Sequence, residues 1–124
     1  MTRIPTHERD IIEQEIYLPM LIKILERDRL IIEKAPFKFN NPYLELVEQA
    51  IKLVQKDLKV TKDHLRKQKT KVSEVKRDSD FTMYSFIYNG YEEFHNYFNP
   101  RLRNRCEELL RIYIWRQKNK PLSK

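Results

Sequence analysis

At 124 residues the chain is sized for one domain with one modest core. Apolar residues make up 40% and charged residues 35%, which is too apolar for disorder. A single Gly excludes dinucleotide fingerprints, phosphate-cradling loops and nucleophile elbows, and a single Cys excludes an internal disulfide or a cysteine-rich zinc site.

The first element runs from Thr6, read as an N-cap with Glu8 and Asp10 in its first turn, to about Lys34, before Pro36. Leu18 cannot cap a new start at Pro19, so this is one helix with a kink. Around the kink, Leu18, Leu21, Ile24 and Leu25 belong to an apolar band covering nearly the whole circumference. Such a helix is either central in a bundle or buried against a second chain, so these four residues are candidates for self-association. The second helix starts at Asn41 and Pro42 and carries a stripe at Tyr43, Val47, Ala50, Val54, Leu58 and Leu65. The short connector makes an antiparallel hairpin with helix 1 the economical arrangement.

Residues 69–80 lose periodicity and read as an irregular connector, with Val72 and Val75 available to pin it to the bundle. Residues 81–98 admit two readings. Asn89-Gly90 between aromatic arms is a hairpin signal. Against it, the arm Tyr91 to Phe98 does not alternate, and Tyr84, Ile87, Tyr88, Tyr91, Phe94 and Phe98 form one helical stripe. An isolated hairpin also has no sheet to join. The helix is preferred. Asn99 and Pro100 then open a last helix with Leu102, Cys106, Leu109, Leu110 and Tyr113 on one face, fraying over 118–124. The expected architecture is therefore all-α, a single antiparallel bundle of about four helices over residues 1–124.

The net charge of +7 is uneven: residues 52–77 carry +7, residues 78–98 carry −4, and residues 99–124 carry +6. Lys52, Lys56, Lys59, Arg66 and Lys67 face away from the helix 2 stripe, and Arg101, Arg103 and Arg105 open the last helix. These eight cations are the candidate polyanion surface for DNA or RNA, acting on phosphates through clustered charge. The weaker expectation of a helix-turn-helix rests on the junction at Asn99-Pro100. The blander reading is a solvated face, or segments that neutralise one another.

Glu92 and His95 have a metal-ligand spacing if helical, but no second such pair accompanies them, so no metal or cofactor is expected. Cys106 lies on an apolar stripe without a nearby base and reads as a buried thiol. The aromatics of 81–98 sit in an acidic segment and suit packing better than base stacking. No residue set carries an enzyme reading. The N-terminus has charges where a leader peptide is apolar, and the most apolar window, Ile16 to Leu25, falls short of the ~20 residues of a membrane span. A cytoplasmic protein without membrane contact or small-molecule substrate is expected.

The opening Met-Thr-Arg-Ile-Pro and the run from Asp80 to Leu110, DFTMYSFIYNGYEEFHNYFNPRLRNRCEELL, resemble a small family of uncharacterised YhjD-like proteins from Bacillus-type spore-forming bacteria. The resemblance covers most of the chain. It implies a bacterial, cytoplasmic or forespore setting, and supplies no activity and no functional residues. The expected role is a non-catalytic interaction or assembly protein, with a homo-oligomer or a protein partner. The alternative is a nucleic-acid-binding accessory protein.

Overall fold

The computed structural model describes residues 4–118. In chain order they form α1 (Thr6–Lys34), α2 (Asn41–Lys67), β1 (Lys71–Arg77), β2 (Phe81–Tyr88), β3 (Tyr91–Phe98) and α3 (Asn99–Lys118). This is an α+β fold, with three helices and an antiparallel sheet in the order β1-β2-β3 among the described residues. The all-α four-helix bundle is overturned. The fraying expected at the C-terminus falls, past Lys118, outside the described residues.

α1 begins one residue earlier than its expected cap allows: Pro5 is the N-cap, without a side-chain capping bond, and Thr6 is already helical. The helix continues through Pro19 as one element, although proline withdraws one hydrogen bond from the ladder. At its other end Asn40 holds the turn, with Nδ2 donating to the carbonyls of Ile32 (2.5 Å) and Ala35 (2.8 Å). Asn40, not Asn41, is therefore the cap position of α2. The two helices lie antiparallel. Glu8 meets His64 (2.9 Å), Gln14 meets Thr61 (2.7 Å) and Arg29 meets Glu48 (3.0 Å), a sequence of partners that runs in opposite directions.

α2 ends in a Schellman motif: Thr70 N–H donates to Leu65 O (2.8 Å) and Lys69 N–H to Arg66 O (3.1 Å). Lys69 occupies the left-handed position, φ 53°, where glycine is usual. The chain leaves this cap straight into β1, so residues 71–77 form a strand and not an irregular connector. Only Val72 is half-buried there, and Val75 sits at a bulge in the pairing with β2.

The third strand removes the physical objection to a hairpin over 81–98. β2 pairs on one side with β1 and on the other with β3, so the aromatic arms do have a sheet to join. Asn89 (φ 51°) and Gly90 (φ 80°) are both left-handed, as a type I′ turn requires. β3 does alternate, but not in hydrophobicity. Its inward side chains include the polar Glu93 and His95, while the apolar Phe94 and Phe98 face out. The helical stripe was a coincidence of that inversion. Tyr84 and Tyr88 point to one face of the sheet, Ile87, Phe94 and Phe98 to the other.

Two core clusters result. Phe86 and Tyr84 of the sheet pack with Ile4, Ile12, Ile16, Leu65 and Leu102. Leu18, Leu21 and Leu25 pack with Val47, Ala50, Val54 and Tyr113. α1 belongs to both and is the central element. Asn99 ties the sheet to α3, donating to Asp78 O (2.9 Å) and accepting from Thr82 Oγ1 (2.7 Å).

Candidate functional site

Two surface features stand apart from the core, and both are built by the sheet. The first is its outer face. Strand alternation places Lys71 and Ser73, then Met83, Ser85 and Ile87, then Glu92 and Phe94 on the side away from the helices. Phe81 and Phe98 sit at its end, their rings 5.4 Å apart. Phe94 is 57% exposed, and Phe81 and Phe98 are exposed as well. The helices pack on the opposite side, against Tyr84 and Phe86; on this one Ser85 is buried and Met83 and Ile87 are half-buried. The edges of the sheet are less available: β1 carries Lys71, Lys76 and Arg77 around its bulge, features that discourage edge pairing.

The second feature is a cleft of ≈ 670 Å³ beside β3, walled by the first turns of α1 and α3. Arg9, Arg101 and Arg105 line it together with Glu13, Tyr17, His95 and Tyr97. Arg9 Nη2 lies 3.2 Å from His95 Nδ1, and His95 Nε2 lies 2.9 Å from Glu93 Oε1. Since a guanidinium only donates, Nδ1 must accept, which assigns the ring hydrogen to Nε2 in the neutral imidazole. The ring is held flat against Phe86, 4.5 Å between centroids. Tyr97 donates to Glu13 Oε2 at 2.7 Å. Burial, followed by the hydrogen bond and charge of Glu13, raises the Tyr97 phenol well above the ordinary tyrosine range. Tyr17 is raised too, by burial first and Glu13 second, with Arg105 and Arg101 opposing. Arg105 bonds Glu108 (2.9 Å). Arg101 has no hydrogen-bond or ion-pair partner among the described residues.

The expected sites map onto this unevenly. Leu18, Leu21 and Leu25 are each 2% exposed or less, covered by α2 and α3, and only Ile24 of the self-association set reaches solvent. Those three side chains are not free to meet a second copy. Of the basic candidates, Arg101 and Arg105 converge on the cleft. Arg103, two residues between them, projects elsewhere and is exposed. Lys52, Lys56, Lys59, Arg66 and Lys67 form a separate exposed row on α2, where Arg66 is engaged by Asp63. Glu92 and His95 fall on opposite faces of β3, so the helical spacing that suggested a metal pair is gone; Glu92 instead accepts from Ser85 Oγ (2.5 Å). The helix-turn-helix expectation loses its first helix. Cys106 is 3% exposed, and burial raises its thiol.

Arg9 and the exposed ring of Phe94 were not legible as site residues. Nothing in an acidic first turn marks Arg9 for a cleft; Phe94 was visible only through the Asn89-Gly90 signal, once a third strand gave that turn a sheet.

No solved structure matches the chain. A relative from Bacillus subtilis (strain 168), named Uncharacterized protein YhjD, is 44% identical over 106 residues, covering 86% of this chain and 88% of that protein. The family model described as YhjD protein matches residues 3–118, which takes in every element from α1 to α3. The chain therefore belongs to the YhjD protein family.

Proposed function

We infer that this protein is a non-catalytic assembly protein that works by pairing with a second copy through the outer face of its sheet. The observation that carries this reading is the set of exposed rings Phe81, Phe94 and Phe98 on one face of the sheet, with half-buried Met83 and Ile87 beside them. Exposed apolar surface of this kind favours an interface, and a two-fold homodimer is the commonest closed form. Leu30, Ile31, Phe37, Phe39 and Tyr43 are exposed as well, at the turn between α1 and α2, whereas Val60 and Trp115 stand apart on α2 and α3.

Charge favours a second copy as the occupant. Lys71 and Glu92 both pair with Ile87, so they stand in one row at opposite edges of the face. A two-fold axis parallel to β2 preserves position along the strands and exchanges the edges. It therefore lays Lys71 over Glu92 of the second copy, twice per dimer. Aligned sheets of this type interdigitate at a spacing of ~10 Å.

Analytical ultracentrifugation tests the reading. The wild type should sediment as a dimer at micromolar concentration, and Phe94→Glu should give a monomer with an unchanged circular dichroism spectrum. Lys71→Glu should weaken the dimer, and adding Glu92→Lys should restore it. A monomeric wild type, or a charge swap no tighter than its single variants, refutes the proposal.

The second reading, nucleic-acid binding, is favoured by one observation: Lys52, Lys56 and Lys59 are exposed along α2 and have no ion-pair partner among the described residues. Its signature is affinity that falls steeply with salt.

A further inference from the structure

We propose that the cleft beside β3 is a phosphate-monoester site, in which Arg101 is the principal anchor and Arg9 and Arg105 complete the cationic wall. The cleft meets the sheet's outer face at Phe81 and Phe98, but its three arginines lie on α1 and α3, outside that face. The starting point is a convergence: Arg9 of α1 and Arg101 and Arg105 of α3 line one concave wall. In the cleft the two carboxylates are already committed, Glu13 to the Tyr97 hydroxyl and Glu108 to Arg105. Arg101 is left unpartnered in a concave setting with Arg9 and Arg105 on the same walls.

The donor set selects the ligand. A guanidinium presents a planar fork that matches phosphate and carboxylate oxygens in pairs. Three guanidinium groups drawn from α1 and α3 offer more donors than the two oxygens of a carboxylate can accept. A phosphate monoester supplies three terminal oxygens and about −1.5 to −2 charges. Asn96 and Asn104 add neutral amides, while Phe81 and Phe98 give an apolar rim suited to the organic part of the ester. Arg9 is already steered by His95 Nδ1, and His95 in turn by Glu93 and Phe86, so one anchor is oriented before any ligand arrives. Tyr17 lines the same cleft.

The test is isothermal titration calorimetry of the full chain with phenyl phosphate, inorganic phosphate and benzoate. Phenyl phosphate should saturate one site per chain and bind more tightly than inorganic phosphate, with benzoate weakest. Arg101→Ala should weaken phenyl phosphate by about tenfold or more. Arg101→Lys, which keeps the charge and loses the fork, should fall between. Arg27→Ala, exposed farther along α1 and outside the cleft lining, should leave binding unchanged. Arg101 is exposed, so these variants should fold, and circular dichroism checks that they do. The proposal is overturned by the absence of saturable binding at millimolar phenyl phosphate. It is equally overturned by an unaffected Arg101→Ala, by equal loss in Arg27→Ala, or by benzoate binding as tightly as the phosphate.

Discussion

Gly90→Ala gives opposite signs in the two structures that residues 81–98 could adopt. In an exposed helix interior, replacing Gly by Ala stabilises by ~1 kcal/mol. In the observed turn, Gly90 has φ 80°, and a Cβ built there meets nothing within 4 Å. No clash contributes, and the cost is the left-handed backbone alone, about 1–2 kcal/mol for a residue with a Cβ. Part of it is offset because Ala also restricts the unfolded chain, by ~0.4–1 kcal/mol. A net destabilisation of about 1 kcal/mol follows, roughly 2 kcal/mol away from the helical expectation. Urea unfolding followed by circular dichroism, at one fixed protein concentration, resolves such a gap. With a slope of ~1–3 kcal/mol/M, the midpoint should fall by about 0.5 M. Asn89→Gly serves as the control and should be nearly neutral, since Asn already tolerates φ 51°. A midpoint that rises in Gly90→Ala would refute the turn and the sheet built on it.

Other expectations follow from the same geometry. Lys69→Gly should stabilise the protein by up to ~1 kcal/mol in the same unfolding assay, because it relieves a left-handed residue at the end of α2 while leaving the cap's backbone bonds in place. Leu21→Ala, at a position with no exposure, should cost ~3 kcal/mol, whereas Ile24→Glu on the open side of α1 should cost ~1 kcal/mol or less and leave the sedimentation coefficient unchanged. Tyr17, Tyr97 and Tyr113 are all raised, mainly by burial. Their folded-state values lie above the unfolded ~10, so stability should be level below pH ~10 and fall as pH rises beyond it, less steeply in Tyr97→Phe. Urea midpoints measured on both sides of that pH check the sign.

The helices were legible because their signals are local. Punctuation by Pro36, Asn41-Pro42 and Asn99-Pro100, together with stripes such as Val47, Ala50 and Val54, marks α1, α2 and α3 close to their observed limits. The sheet was not, for two physical reasons. β1 buries almost nothing and owes its strand conformation to backbone bonds with β2, a partner that leaves no mark on the sequence of 71–77. β3 turns Glu93 and His95 inward and Phe94 and Phe98 outward, so the usual alternation signal is lost. The cleft was half visible. Arg101 and Arg105 announced themselves as a charge cluster, but their convergence with Arg9 depends on the register of α1 against β3. The apolar band on α1 was legible but not its cause: central helix and second chain both account for it, and the burial of Leu18, Leu21 and Leu25 against α2 and α3 favours the first.

The division of the core into two clusters has a consequence for how the molecule opens. Among the fully buried residues of α1, Ile12 and Ile16 belong to the sheet-side cluster and Leu18, Leu21 and Leu25 to the helix-side one, so the border crosses α1 near Pro19, with half-buried Met20 still on the sheet side. The ring at Pro19 removes a rung from the amide ladder at that same border. Side-chain cohesion and backbone cohesion thus thin out together, which makes Ile16 to Pro19 a fault line along which the two halves can part without either dissolving. Native-state hydrogen exchange should accordingly sort the amides of α1 into two sub-global opening units, one keeping time with β2 and the other with the middle of α2.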